Sequence, residues 1–282
     1  MNFHQKPSTF IELVELKVTN LEKSLHFYQE IMGFQVLEKQ DNKIWLTADG
    51  NTALLSIEQP AKVTRKPEKT TGLYHFALLL PSRADLGAFL RHSIERNVRL
   101  GAGDHLVSEA LYLNDPDGNG IEIYSDRPET EWNWEKGNVA MDTLPIDGPG
   151  ILEAGQQTEW NGLPSETVMG HIHLQVSNIQ EAQEFYELLG FEVVTPYPGA
   201  LFMSTGKYHH HIGMNTWAGT GAEPAPKNST GLEAFTIVYP SISDRQKAID
   251  QLISNGISVE EENGYFLTKD PSQNRMKMVV KD

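Results

Sequence analysis

Two histidines share one face of a strand in the stretch Gly170 to Phe191, GHIHLQVSNIQEAQEFYELLGF. With a period of two, Ile172, Leu174 and Val176 point one way and His171, His173 and Gln175 the other. The polar side carries imidazoles and an amide instead of the charges of a solvated face, which predicts a lined cavity. Two further residues could complete a site with His171: His75 in GLYHF and Glu122 in DPDGNGIEIY. Two imidazoles and one carboxylate with open coordination positions are the ligand set of non-haem Fe(II) oxygenases, and the same donors suit Mn(II), Ni(II) and Zn(II).

The elements that must bring these residues together come from an internal repeat, the feature that sets an architecture. Glu12 to Phe34, ELVELKVTNLEKSLHFYQEIMGF, matches the later stretch with one residue deleted from the later helix. Leu16/Leu174, Val18/Val176, Asn20/Asn178, Phe27/Phe185, Tyr28/Tyr186, Gly33/Gly190 and Phe34/Phe191 correspond. At the place of His171 the first copy has Leu13, so the scaffold does not require a histidine there.

The first copy reads as a βαβββ unit. A strand spans Phe10–Thr19, and Asn20 caps a helix that runs to about Met32 and ends at Gly33. Strands follow near Phe34–Glu38, Lys43–Thr47 and Thr52–Glu58, with Asp49-Gly50 as a hairpin turn. A second unit has a strand at Gly72–Leu80, a helix over Arg83–Arg96, and strands near Val98–Leu100, Ala110–Leu113 and Gly120–Tyr124. A third runs from Met169 to about Trp217. A fourth begins at Gly231, with a helix over Ser243–Asn255, and continues to Val280. The fold class is therefore α+β: four βαβββ units forming two half-closed, eight-stranded barrels with helices outside. The expected division is 1–126 for the first pair of units, 127–164 for a Pro/Gly/Trp-rich linker with one short helix, and 165–282 for the second pair. Trp132 and Trp134 of the linker should pack on a domain.

Superimposing the units puts Leu13, His75, His171 and Ala234 at one position, and Glu122 of the second unit against Lys277 of the fourth. Pairing the second unit with the third assembles His75, Glu122 and His171. Pairing the first with the fourth gives Leu13, Ala234 and Lys277, which cannot hold a metal. One cavity is then active and one silent.

Composition sets the outer bounds. The 282 residues are 39% hydrophobic and 22% charged, which suits a globular chain of two ordinary domains. A net charge of −15 argues against nucleic acid and anionic membrane as partners. No cysteine is present, which excludes disulfides, thiolate metal sites and a cysteine nucleophile. No signal-peptide core and no membrane span stand out, so a cytoplasmic enzyme or binding protein is expected.

The repeat, GLYHF, DPDGNGIEIY and MGHIHLQVSN resemble the vicinal oxygen chelate superfamily, and within it the extradiol catechol 2,3-dioxygenases of bacilli, over nearly the whole chain. The resemblance implies an Fe(II) enzyme that cleaves a catechol or substituted catechol with O₂ beside the diol, with the metal on His75, Glu122 and His171. Such enzymes act in aromatic hydrocarbon catabolism. In KYHHHIGMN, unit superposition puts His210 where Glu122 sits in the second unit. Glyoxalases I place a carboxylate there as a fourth ligand; extradiol dioxygenases place an acid–base histidine. The resemblance likewise implies that Tyr112 hydrogen-bonds the substrate. A glyoxalase-like lyase or isomerase using Ni(II) or Zn(II), and a metal-free binding protein, are the competing readings; His210 argues against the first and the intact triad against the second. A homo-oligomer is compatible with the sequence.

Other histidines carry weaker expectations. His173 and Gln175 line the cavity or sit at its rim. His209 and His211 are surface or supporting residues, and His105 lies toward the cavity mouth. His4, His26 and His92 read as surface.

Overall fold

The structure, a computed structural model, describes residues 3–281. The first unit is β1 (Phe10–Lys17), α1 (Leu21–Glu30), β2 (Gln35–Lys39), β3 (Lys43–Thr47) and β4 (Ala53–Glu58). The Asn20 side chain accepts from the Lys23 N–H, satisfying an orphan donor of the first turn. Gly33, at φ +80°, ends α1 in the left-handed region that favours glycine.

The second unit is β5 (Gly72–Leu79), α2 (Arg83–Glu95), β6 (Gly101–Asp104), β7 (Ser108–Asn114) and β8 (Gly120–Asp126). The strand expected at Val98–Leu100 instead begins at Gly101. The helix end uses up the intervening residues: Asn97 has φ +53°, and the Val98 N–H donates back to the Ser93 carbonyl. Between units lie a 3₁₀ turn at Glu129–Glu131, the short pair β9 (Trp134–Glu135) and β10 (Asn138–Val139), and the helix α3 (Gly148–Ala154). Trp132 is buried there, its indole N–H donating to the Val107 and Arg127 carbonyls.

The third unit is β11 (Val168–Gln175), α4 (Ile179–Leu188), β12 (Glu192–Tyr197), β13 (Ala200–Ser204) and β14 (Ile212–Asn215). The fourth is β15 (Gly231–Tyr239), α5 (Ile242–Ser254), β16 (Glu260–Glu262), β17 (Tyr265–Lys269) and β18 (Arg275–Val280).

The units form two eight-stranded sheets. One is ordered β16-β17-β18-β15-β1-β4-β3-β2 and the other β12-β13-β14-β11-β5-β8-β7-β6. The first unit thus pairs with the fourth, and the second with the third. In each sheet the seam is an antiparallel ladder of two first strands, with Val14 opposite Phe235 and Ile172 opposite Phe76. These apolar residues join Leu174, Phe185, Tyr186, Leu16 and Tyr28 in one contiguous core that spans both sheets. Full burial of each such side chain is worth about 1.5–3 kcal/mol.

Two reciprocal ties link the sheets. Tyr28 of α1 donates its hydroxyl to Asp115 in the turn before β8, at 2.9 Å. Tyr186 of α4 donates to Asp270 in the turn before β18, at 3.1 Å. Asp115 and Asp270 also accept the Asn119 and Asn274 backbone N–H groups, which fixes the turns that launch β8 and β18.

Candidate metal centre

The antiparallel β5–β11 seam brings His75 and His171 to one face, and β8 runs parallel beside β5. Nε2 of His75 lies 3.3 Å from Nε2 of His171. Glu122 Oε2 lies 3.0 Å from the first and 3.2 Å from the second. All three residues are buried. Ligands about 2.1 Å from a first-row metal stand roughly 3.0 Å apart at right angles and roughly 3.4 Å apart at the tetrahedral angle. The observed triangle falls in that range, so the three atoms fit one ion without rearrangement.

Protonation favours the same use. Burial pushes the His171 imidazole down to about 4, against the pull of the Glu122 carboxylate. Burial opposes ionisation of Glu122, yet the His171 and His75 rings facing it more than offset this and hold it well below the usual carboxylate range. Neutral imidazole and ionised carboxylate are the forms that ligate metals.

The register shows what stands at the equivalent places. Ala77 and His173 each precede their helix cap, Ser82 and Asn178, by five residues. Their parallel partners are Glu122 and Gly213. His210 is therefore not at the Glu122 position, as unit superposition had suggested. It reaches the site from the bend before β14, three residues earlier. Its ring still packs against His171, with centroids 4.0 Å apart. Gly213 leaves the equivalent position without a side chain. A Cβ there would come 3.0 Å from the His173 ring, tighter than ordinary contact.

Tyr112 stands directly opposite Glu122 in the β7–β8 ladder and so shares its face. Its hydroxyl lies 2.6 Å from His105 Nε2, and His105 Nδ1 is 2.8 Å from the Asp142 carbonyl. A carbonyl only accepts, so His105 is protonated on Nδ1 and Tyr112 donates to Nε2. Burial and the Glu122 charge raise the Tyr112 phenol well above its usual range, which keeps it protonated.

His173 lines the same region, its ring 4.9 Å from that of His75 and its Nε2 3.0 Å from the Asn215 amide. Gln175 accepts from Lys66, which lines a separate cleft, at 3.1 Å. Sequence reasoning did not single out Tyr74, Phe202 or Trp217. Phe202 lies 4.9 Å from the His210 ring, and Tyr74 and Trp217 lie 5.1 and 5.7 Å from His173. Tyr74 and Trp217 are 40% and 52% exposed. Adjacency to His75 in GLYHF was the one available signal for Tyr74.

His4, expected at the surface, is inside, and of the two places expected for His209 and His211, surface or support, they take the second. His4 is buried, its Nε2 donating to the Gly170 carbonyl at 2.8 Å. His209 and His211 are fully buried because the N-terminal segment and Trp132 cover them, with Phe3 accepting from His211. His92 is half-buried against Trp160, whereas His26 is exposed.

In the other sheet, Leu13 and Ala234 hold the histidine positions, and Lys277, opposite Thr236, holds that of Glu122. A separate cleft of about 780 Å³, lined by Lys17, Lys66, Lys269 and Arg275 among others, contains none of the triad residues.

Residues 11–123 and 168–278 match the Glyoxalase/Bleomycin resistance protein/Dioxygenase superfamily. The chain belongs to that superfamily. Among named relatives, it is 47% identical over 268 residues to the catechol-2,3-dioxygenase of Bacillus subtilis (strain 168), covering 93% of this chain and 94% of that one. Among solved structures, a putative dioxygenase from Bacillus subtilis superimposes with a TM-score of 0.67 at 14% identity, over 96% of this chain and 84% of that one. Glyoxalase I from Zea mays gives a TM-score of 0.60 at 13% identity, over 97% and 92%. These two share the fold. No helix among the described residues is long and apolar enough to cross a membrane.

Proposed function

We propose that this chain is an extradiol ring-cleaving dioxygenase that uses O₂ on catechol or a substituted catechol, with Fe(II) held by His75, Glu122 and His171. The carrying observation is the buried triangle of three ligand atoms, with Gly213 at the third unit's counterpart of Glu122. The 47% identity to a named catechol-2,3-dioxygenase supports the substrate class. A glyoxalase-type site needs a carboxylate at the position of Gly213, and the His173 ring fills the room that its side chain would take.

When bound, iron(II) supplies a common anchor for the diol oxygens and O₂ and passes electron density between them. The chain's own residues do the rest. Tyr74, Phe202 and Trp217 offer ring faces and edges to a flat aromatic substrate. The Tyr112 hydroxyl, its proton donated to His105 Nε2, offers its oxygen lone pair to a substrate O–H beside Glu122. His210 is held neutral, because burial lowers its imidazole well below the usual range, and it takes and returns a substrate proton.

The test is His210→Ala. It should retain metal and bind catechol, with turnover lowered roughly 10²–10⁴-fold, the usual worth of a positioned acid or base. Loss of metal from this variant would instead make His210 a ligand and overturn the assignment.

A further inference from the structure

We infer that Asp126 and His209 are positioning residues that fix His210 in the tautomer protonated on Nδ1, leaving the Nε2 lone pair free to act as base. The inference rests on His210 being the acid–base residue.

His209 Nε2 lies 2.7 Å from Asp126 Oδ1, and His209 Nδ1 lies 2.9 Å from His210 Nδ1. An ionised carboxylate only accepts, so His209 must donate from Nε2. With its one proton on Nε2, His209 presents a lone pair at Nδ1. The contact with His210 Nδ1 can form only if His210 donates there. One carboxylate thus sets the proton position two rings away, the logic by which an aspartate orients a catalytic histidine in hydrolase triads.

The rings cannot easily turn to escape this arrangement. His209 is fully buried, with the Tyr208 ring 4.0 Å and the Trp132 ring 5.1 Å from it. Asp126 Oδ1 also accepts from the Tyr208 hydroxyl at 3.3 Å, and Tyr124 then donates to Tyr208 at 2.7 Å. Asp126 stands at the end of β8, two steps of alternation beyond Glu122. The strand that supplies the carboxylate of the triad therefore also supplies the carboxylate behind its acid–base residue.

Asp126→Asn tests this. The Asn amide can donate to His209 Nε2, which reverses the chain and puts the His210 proton on Nε2. Long-range ¹H–¹⁵N spectra of the histidine-labelled, zinc-loaded protein should report Nδ1–H at His210 in the wild type and its loss in the variant. Turnover of the iron-loaded variant should fall about 10–100-fold, with KM within about twofold and metal content unchanged. Asp126→Glu, which keeps an acceptor-only carboxylate, should recover part of the rate. In a His210→Ala background, Asp126→Asn should cost nothing further. An unchanged tautomer, or a loss that multiplies with that of His210→Ala, would overturn the relay alone. Full turnover by His210→Ala would overturn the acid–base reading beneath it.

Discussion

Lys277 stands in one sheet at the register position that Glu122 holds in the other, and its ammonium lies 2.6 Å from the Glu15 carboxylate. Lys43 meets the other oxygen of Glu15 at 2.5 Å. Where one sheet gathers two imidazoles around a carboxylate, its counterpart gathers two ammonium groups. Burial opposes ionisation of Glu15, and the two lysines more than offset it, so the carboxyl sits below its usual range.

Lys277→Ala should therefore weaken folding without touching the metal centre. Glu15 would keep one partner, so the loss should be about 1–3 kcal/mol, below the range for a fully buried, fully broken pair. Urea unfolding measures it; metal content and turnover should match the wild type.

Removing a triad residue should do the reverse. His75→Ala, Glu122→Ala and His171→Ala should each lose bound metal and turnover while the chain stays folded, since Leu13 and Ala234 fill the matching places of the other sheet. Metal analysis beside circular dichroism checks both halves. A variant that keeps full metal and full turnover is not missing a ligand.

Gly213→Ala probes the room beside the triad. The new Cβ would meet His173 at 3.0 Å, forcing that ring toward His75 or the backbone apart. Overpacking of this kind costs roughly 1–3 kcal/mol. Stability and turnover should both fall, and His173→Ala in the same chain should restore the stability lost to the clash.

The tie between α4 and the turn before β18 should be pH-dependent. Burial raises the Asp270 carboxyl from 3.8 to about 6, despite bonds from Asn274 and Tyr186. The folded state thus holds this proton more tightly than the unfolded chain. Its contribution is fully present below about pH 4 and is lost as the pH rises through about 6. Wild-type stability minus that of Asp270→Asn should fall by about 2–3 kcal/mol across that window. A flat difference would show Asp270 ionised in the fold.

Much of this was legible in the sequence, for physical reasons that can be named. Strand alternation put His171 and His173 on one face, and the repeat aligned His75 with His171 and Glu122 with Lys277. Pairing of the second unit with the third followed because no other pairing gathers ligands. The error over His210 arose from counting along a strand that starts later than assumed: β14 begins at Ile212, so the three histidines lie in the bend before it. The burial of His4, His209 and His211 depends on how the N-terminal segment and the linker fold over the third unit. No local period encodes that. Asp126 had a signal, since Glu122, Tyr124 and Asp126 alternate on one face, but its partner lies 83 residues away.

The central claim is tested most directly by oxygen uptake with catechol on anaerobically purified, iron-loaded protein. One O₂ should disappear per catechol, with a muconic semialdehyde type of product. The Glu122→Ala protein should consume none. Metal-loaded protein that leaves catechol and O₂ untouched yet turns over the methylglyoxal–glutathione adduct would contradict the account.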